Sequence, residues 1–202
     1  RAFHLKKVSR VELIRTLEQE LSYKRFIHTL SVAGTASSLA MCYGADLEKA
    51  ETAGLLHDCA KCMDVRKMQK VCEKAGLTVS SFEADSGSLL HSKAGSVLAA
   101  EKYGIQDPDM INAIRYHTTG RPGMSLLEKI IFVADYIEPG RFTAKNLPLI
   151  RRLAFSDIDE ALMKILYDTL VYLNSTGLVV DPMTQKTYDY YKQIFEEKTI
   201  YD

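Results

Sequence analysis

Four histidines and two aspartates lie in separate segments of the chain, at positions from which they could together hold metal ions. They are His28, His57, Asp58, His91, His117 and Asp135. Mixed sets of imidazole and carboxylate groups are the usual ligands of catalytic divalent metals, and helical proteins build such sites from facing helices. Among the five histidines, only His4 falls outside this array. The six residues therefore predict a metal centre.

Each residue of the array also has an ordinary explanation when it is taken alone. A histidine on a helix is more often structural or on the surface, and the helix dipole by itself favours a histidine such as His117 at a helix end. Asp135 is the strongest anomaly, because it follows the apolar residues 131–134. A carboxylate in such a stretch is costly unless it is paired or bound to metal.

Helix caps and glycines divide the chain into predicted helices. Ser9 with Glu12, and Ser125 with Glu128, form two capping boxes, each of which is typical of a helix start. The predicted helices cover about residues 9–21, 22–43, 46–57, 64–76, 88–103, 107–117, 125–137, 156–174 and 181 onward, with a loop over 77–87. Since no segment alternates with the period of two that is typical of strands, we predict an all-α fold.

The bulk composition sets the broad class of protein. The 202 residues suggest one domain over 1–202, with a metal-binding core at about 22–140 and C-terminal helices at about 148–198 packing on it. Basic and acidic residues both number 26, and this zero net charge argues against a nucleic-acid partner. No apolar run approaches the ~20 residues that span a bilayer, so we expect no membrane partner. Because a chain with this core needs no disulfides, we interpret the four cysteines as reduced and the protein as cytoplasmic.

The array and the strings around it resemble a known family. The order of the six residues resembles that of the HD superfamily of metal phosphohydrolases. The strings GLLHDCAK (54–61), LLHSKAG (89–95) and AIRYHTTGRPGMSLLEKIIFVADYIEPGR (113–141) are similar to those of the bacterial YqeK-type HD proteins, and the similarity covers nearly the whole chain. The resemblance implies a single HD-domain helical bundle around a dinuclear metal site. It also implies a hydrolase that cleaves diadenosine tetraphosphate symmetrically into two ADP.

The resemblance further implies a role for each residue of the array. One metal ion would be held by His28, His57, Asp58 and Asp135. The second would be held by Asp58, His91 and His117, so that Asp58 bridges the two ions and is a catalytic residue. The metal implied is iron, although the ligand types also suit manganese or zinc. Two such ions would activate a hydroxide that attacks phosphorus.

Basic and hydroxyl side chains near the array are candidates for contacts with substrate phosphates. Lys61 lies one helical turn beyond His57 and Asp58, where its charge could hold a phosphate and contribute to catalysis. The turn after His117 offers hydroxyls, backbone N–H groups and a guanidinium, from Thr118, Thr119, Gly120 and Arg121. Arg141 is a further candidate. The alternatives are a solvated lysine at a helix end and an ordinary polar turn.

Other interpretations of the function stay open at the level of the residues. The same ligands would serve an HD-type nucleotidase or a nucleoside di- or triphosphate phosphohydrolase. A nucleotide-binding sensor without turnover is an alternative of a different class. A substrate panel would separate the first two from the leading hypothesis, and tight binding without product would favour the third.

Two further patterns receive ordinary interpretations. Cys59 and Cys62 form a C-x-x-C pair that we interpret as coincidental, because neither a βαβ context nor a second pair accompanies it. Tyr188, Tyr191 and Phe195 share a stripe of the last predicted helix. We interpret the stripe as core, with a homodimer surface as the alternative.

Overall fold

The computed structural model describes residues 8–201, and this part of the chain folds into ten α-helices without a β-strand. The helices are α1 (Arg10–Glu20), α2 (Tyr23–Tyr43), α3 (Leu47–Leu56), α4 (Val65–Lys74), α5 (Gly87–Glu101), α6 (Pro108–Arg115), α7 (Leu126–Ile137), α8 (Leu147–Ala154), α9 (Ile158–Thr176) and α10 (Pro182–Tyr201). The predicted all-α class is confirmed. His4, the histidine outside the predicted array, lies outside the described residues.

Side-chain caps set the ends of the first helices. The Ser9 hydroxyl accepts from the backbone N–H of Glu12, and the Glu12 carboxylate accepts from the backbone N–H of Ser9, which completes the predicted capping box of α1. Gly44 ends α2 in the left-handed conformation, at φ 70°. Asp46 then caps α3. This short connection lets α2 and α3 pack directly against each other.

The second predicted capping box forms in one half. The Ser125 hydroxyl caps α7 by accepting from the backbone N–H of Glu128 at 3.2 Å. The Glu128 carboxylate instead receives two hydrogen bonds from the guanidinium of Arg121, at 2.8 and 2.5 Å. Glu128 is only 2% exposed. The ion pair with Arg121 therefore compensates a carboxylate charge that would otherwise be buried without a partner.

Small residues bring α2 and α3 unusually close. A Cβ atom added to Gly54 of α3 would lie 2.8 Å from the Cα of Ala33 on α2, a distance that real Cβ atoms do not tolerate. The face of α2 that meets its neighbours also buries Ala36 and Ala40. The close approach places the first half of α2 beside the end of α3. These are the two elements that carry His28 and the His57-Asp58 pair.

The largest hydrophobic cluster fills the space among α2, α3, α6, α7, α8 and α9 and extends to Tyr191 of α10. Helix α7 is buried on most of its surface, including Ile130, Ile131, Val133 and Ala134. The cluster therefore contains residues from the predicted core and from the predicted C-terminal helices, while the domain boundaries themselves stay a prediction. In the stripe of α10, Tyr191 is buried, as predicted, whereas Phe195 is 37% exposed. Within residues 8–201, no helix is both long and apolar enough to cross a membrane.

Candidate metal centre

The six residues of the predicted array come together in one buried cluster. They arrive from five places: His28 from α2, His57 and Asp58 from the end of α3, His91 from the start of α5, His117 from the turn after α6, and Asp135 from α7. Ligand atoms of three overlapping groups lie within 4.8 Å of one another, and Asp58 belongs to two of these groups. The helices thus bring the six side chains into one cluster, while their role as metal ligands stays a prediction.

Asp58 faces different histidines with its two carboxylate oxygens. Oδ2 lies 3.3 Å from Nε2 of His57 and 3.7 Å from Nε2 of His28. Oδ1 lies 3.1 Å from Nε2 of His91 and 3.5 Å from Nε2 of His117. A carboxylate placed between two pairs of imidazoles has the geometry of a ligand shared by two cations.

Asp135 belongs to one side of this arrangement. Its Oδ1 lies 2.9 Å from Nε2 of His28 and 3.7 Å from Nε2 of His57. These are the same two histidines that face Oδ2 of Asp58. One side of the cluster therefore has two imidazoles and two carboxylates, and the other has two imidazoles and the remaining oxygen of Asp58.

Backbone carbonyls fix three of the four imidazole rings. Nδ1 of His57 lies 2.6 Å from the carbonyl oxygen of Gly54, and Nδ1 of His117 lies 2.7 Å from that of Ile114. Nδ1 of His91 lies 3.1 Å from the carbonyl oxygen of Gly87. Since a carbonyl oxygen can only accept, these contacts favour a proton on each Nδ1 and direct each Nε2 into the cluster, although the Lys61 ammonium also lies 3.4 Å from Nδ1 of His91.

The directed Nε2 atoms face carboxylate oxygens or one another. Nε2 of His28 and of His57 lie 2.9 Å from Asp135 Oδ1 and 3.3 Å from Asp58 Oδ2, but neither contact has the geometry of a regular hydrogen bond. Nε2 of His91 and His117 face each other at 3.1 Å, although neither ring has a proton there once Nδ1 is protonated. Two facing lone pairs at this distance repel each other unless a proton or a metal cation lies beside them. The donor set of imidazole nitrogens and carboxylate oxygens therefore fits divalent transition metals.

Ionisable groups in the cluster shift one another strongly. Burial by itself would raise the pKa of Asp58 and of Asp135, but the neighbouring imidazoles hold both pKa values well below the usual range. Burial by itself would lower the pKa of His57, but Asp58 and Asp135 raise it to about 10. Burial lowers the pKa of His91 to about 4. Without metal, a proton on His57 therefore compensates part of the charge of the two carboxylates.

Two side chains that sequence reasoning missed belong to the cluster. The guanidinium of Arg25 donates to Oδ2 of Asp58 at 2.7 Å. The carboxylate of Glu138 lies 3.0 Å from Nδ1 of His28. Arg25 lies one turn before His28 on α2, and Glu138 stands in the DYIEPGR string, so both were adjacent to residues already singled out. Burial by itself would raise the pKa of Glu138, but hydrogen bonds from Ser31, His28 and the Gly140 N–H lower it.

Predicted substrate contacts differ in their distance from the cluster. Lys61 lies with its Nζ 3.4 Å from Nδ1 of His91, and burial lowers its pKa. Arg141 donates to Oδ1 of Asp135 at 3.1 Å and is exposed. The Arg121 guanidinium is bound by Glu128 and lies 4.6 Å from the ring centroid of Tyr116, so its charge is paired with the Glu128 carboxylate.

The turn that follows His117 is held by α10. Gly120 has φ 65°, and a Cβ atom there would lie 2.8 Å from the side chain of Thr187. The backbone N–H of Met124 donates to the Tyr191 hydroxyl at 2.9 Å. The Thr119 hydroxyl bonds the Gly120 carbonyl, whereas the Thr118 hydroxyl is buried without a partner. These contacts fix the turn beside a histidine of the cluster.

The cysteines take no part in the cluster. All four are free thiols, and the C-x-x-C pair is divided between buried Cys59 and exposed Cys62. Burial raises the pKa of the Cys59 thiol to about 12, which keeps it protonated and unreactive.

Comparisons with known proteins find a family model that covers the segment containing the cluster, and relatives that match nearly the whole chain. The HD domain family model matches residues 25–140, which contain all six residues of the cluster. Two proteins named symmetrical bis(5'-nucleosyl)-tetraphosphatase are similar to the chain. The one from Bacillus subtilis is 39% identical, over 91% of this chain and 97% of that protein. The one from Halalkalibacterium halodurans is 40% identical, over 90% of this chain and 96% of that protein.

A solved structure supports the same relationship. A crystal structure from Clostridium acetobutylicum, of a protein described as a predicted HD superfamily hydrolase involved in NAD metabolism, has a TM-score of 0.88 and 40% identity. The similarity covers 92% of this chain and 97% of that one. Family model, full-length relatives and shared fold agree: the chain belongs to the HD domain family.

Proposed function

We propose that this chain is a metal-dependent hydrolase that cleaves diadenosine tetraphosphate symmetrically and releases two ADP. Full-length relatives that carry the name of this activity support the substrate and the symmetry of cleavage. The observation that carries the metal dependence is the pair of Asp58 oxygens, each facing two buried Nε2 atoms.

The ligand assignment that we propose follows the two sides of the cluster. One divalent ion is held by His28, His57, Asp58 and Asp135. The other is held by Asp58, His91 and His117. Iron is the metal that we propose, and manganese and zinc suit the same donor atoms. Such ions lower the pKa of the attacking water and neutralise charge on phosphoryl oxygens.

Three cationic side chains surround the proposed ions and would bind the polyphosphate. Arg25 and Arg141 each contact a carboxylate of the cluster, Asp58 and Asp135 respectively. When these carboxylates coordinate metal, less of their charge is available to the guanidinium groups, which are then free to bind phosphate oxygens. Lys61, half-buried beside His91, supplies a further positive charge next to the cluster.

In this proposal, one part of the turn after His117 contacts the substrate and another part holds the turn in place. Thr118, with its unpartnered hydroxyl, and the backbone of Thr119 and Gly120 are the parts that we assign to the substrate. Arg121 is committed to Glu128, so we assign it to holding the turn in place rather than to the phosphates. This changes the role that the sequence alone predicted for Arg121.

Metal analysis coupled to product analysis tests the proposal. Freshly purified protein should contain about two metal ions per chain, lose turnover with a chelator, and convert the dinucleotide to ADP alone. AMP together with ATP would contradict symmetrical cleavage. Faster turnover of mononucleotides in a substrate panel would favour a nucleotidase or a nucleoside di- or triphosphate hydrolase. Tight binding of metal and nucleotide without product would favour a sensor.

Substitution of the proposed shared ligand gives the sharpest prediction. Asp58→Ala removes an oxygen from both proposed ions, so we expect it to abolish metal binding and activity together. The matched control is Asp85→Ala, which removes an exposed aspartate in the loop before α5. Metal content and turnover should be unchanged in the control. Near-wild-type turnover of Asp58→Ala would contradict the bridging assignment.

Two lesser predictions concern assembly and location. We propose a cytoplasmic protein, since its four cysteines are free thiols.

A homodimer through the exposed side of α10, which includes Phe195, stays a prediction. Light scattering of the purified protein checks the mass of the particle, and a monomeric mass would contradict the dimer.

A further inference from the structure

One imidazole of the cluster is oriented differently from the other three. His57, His91 and His117 direct Nδ1 to a backbone carbonyl of their own or the preceding helical turn. His28 directs Nδ1 to the carboxylate of Glu138, which comes 110 residues later in the chain. The orientation of this ring therefore depends on tertiary structure, and its partner carries a full charge.

Glu138 is held in place on both of its oxygens. Its residue exposure is 3%. Oε1 lies 3.0 Å from Nδ1 of His28, and Oε2 accepts from the backbone N–H of Gly140 at 2.5 Å. A Cβ atom on Gly140 would lie 2.9 Å from Oε2 and 3.0 Å from Oε1, so glycine at this position leaves the space that the carboxylate occupies.

A second element fixes the backbone that carries Glu138. The guanidinium of Arg151, on α8, donates to the carbonyl oxygens of Ile137, Glu138 and Arg141 at 2.8, 3.0 and 2.6 Å. The first two bonds satisfy carbonyls at the end of α7, and the third ties the segment that follows it. Because α8 lies beyond the matched HD domain, the C-terminal part of the chain supports the histidine cluster through this contact.

We propose that Glu138 is a positioning residue for the side of the metal centre that contains His28. Its carboxylate keeps the proton of His28 on Nδ1, aims Nε2 at the site, and makes Nε2 a stronger electron donor. Carboxylate partners of this kind are a general means of fixing and strengthening a metal-binding imidazole. The proposal rests on the proposed metal-dependent function, because it assigns a role to a residue behind one of the proposed ligands.

The consequence is an intrinsic difference between the two proposed ions. The ion beside His28 has a carboxylate-supported imidazole and two direct carboxylates, Asp58 and Asp135. The other ion has two imidazoles supported by neutral carbonyls. Removing the Glu138 charge should therefore lower the affinity of the protein for the first ion ~10- to 100-fold, the range typical for such partners. Its affinity for the second ion should stay nearly unchanged.

Two variants separate the charge of Glu138 from its position. Glu138→Gln keeps the size of the side chain but has one oxygen, which cannot accept from both His28 and Gly140. Gly140→Ala keeps the charge but displaces the carboxylate by steric contact. The matched control is Glu83→Gln, which neutralises another buried carboxylate that bonds Lys93 and the Ser80 N–H and touches no histidine of the cluster.

Two measurements are made on each protein. Nitrogen-15 NMR of the histidine rings, in chelator-treated protein, reports whether Nδ1 of His28 carries a proton. Calorimetric titration of the same protein with Mn²⁺ reports the two binding constants. Circular dichroism confirms that each variant is folded before either measurement is interpreted.

We expect Nδ1 of His28 to be protonated in the wild type and in Glu83→Gln, also when Nε2 shares a proton with Asp135 at 2.9 Å, and to lose its proton in Glu138→Gln and Gly140→Ala. The weaker binding of one Mn²⁺ should appear in the same two variants. An unchanged proton position with two unchanged binding constants in folded Glu138→Gln would overturn the proposal. If the wild type bound no Mn²⁺ but showed the Nδ1 proton, the proposed metal dependence would fail while the orienting role of Glu138 would stand.

Discussion

At the scale of single residues, the cluster is organised by the direction of lone pairs. Each Nδ1 faces an acceptor behind its ring, a backbone carbonyl or the Glu138 carboxylate, so all four Nε2 atoms face inward, towards the oxygens of Asp58 and Asp135. Arg25 adds a cation that contacts Asp58 from the part-exposed side. The imidazoles thus offset the charge of the carboxylates inside the site. Arg25 adds a positive charge on its part-exposed side, which suits an anionic substrate that approaches from solvent.

Arg25 gives the prediction at this scale. We expect Arg25→Ala to lower kcat/KM for the dinucleotide ~10- to 100-fold, because a charge-assisted hydrogen bond contributes ~1.5–3 kcal/mol. Arg25→Lys should recover part of the loss, since it keeps the charge but not the planar donor geometry. Steady-state kinetics measures both, with Arg15→Ala on the exposed side of α1 as the control. Equal rates for Arg25→Ala and the control would exclude Arg25 from substrate binding.

At the scale of elements, the contact between α2 and α3 sets the distance between His28 and the His57-Asp58 pair. Gly54 packs on the backbone of Ala33, so the two helices approach more closely than any side chain at position 54 would allow. His57 follows Gly54 by one helical turn and bonds its carbonyl. A displacement of α3 at Gly54 would therefore move the imidazole and the shared carboxylate together.

Gly54→Ala tests this contact. The added methyl group must push α2 and α3 apart, which we expect to cost ~1–3 kcal/mol in the free energy of unfolding and to weaken metal binding. Gly34→Ala is the matched control, because a Cβ atom at this exposed position of α2 has no neighbour within 4 Å. Alanine in place of glycine in an open helical position stabilises a protein by ~0.4–1 kcal/mol. Urea unfolding measures both, and two variants of equal stability would contradict the close-packing argument.

At the scale of the whole molecule, the cluster makes the free energy of unfolding depend on protonation and on metal binding. Burial places two anionic carboxylates among imidazoles in the interior, and the raised pKa of His57, about 10, keeps a compensating proton there without metal. A bound cation replaces that proton. Metal-free and metal-bound proteins should therefore respond differently to pH.

Unfolding as a function of pH tests this linkage. Because folding raises the pKa of His57 from 6.5 to about 10, its stabilising effect is complete below pH 6.5 and is lost as the pH rises towards 10. Because folding lowers the pKa values of Asp58 and Asp135, their contribution is present above 3.8 and is lost in acid. We expect chelator-treated protein to lose thermal stability between pH 6.5 and 10, and added Mn²⁺ to suppress that loss. A flat profile between these pH values without metal would contradict the linkage.

The sequence by itself determined nine of the ten described helices and the six histidine and aspartate members of the cluster. It did not predict α8, because Asn146 before that helix makes no side-chain cap. Capping residues such as Ser9 and Asp46, and glycines such as Gly44, act within one or two turns, so their patterns could be interpreted without knowledge of the fold. The apolar surroundings of Asp135 made its carboxylate conspicuous. The order of the six residues and the strings around them then identified the family.

Only the tertiary structure decided how the side chains are oriented and paired. Glu128 could satisfy a helix end or a guanidinium, and the buried position of its carboxylate beside Arg121 favoured the ion pair. Glu138 and Arg25 contact residues 110 and 33 positions away, and separations of this kind leave no local pattern. Hydrogen bonds across such separations exist only after the helices have packed, which is why the cluster was predictable as a set of residues but not as a network.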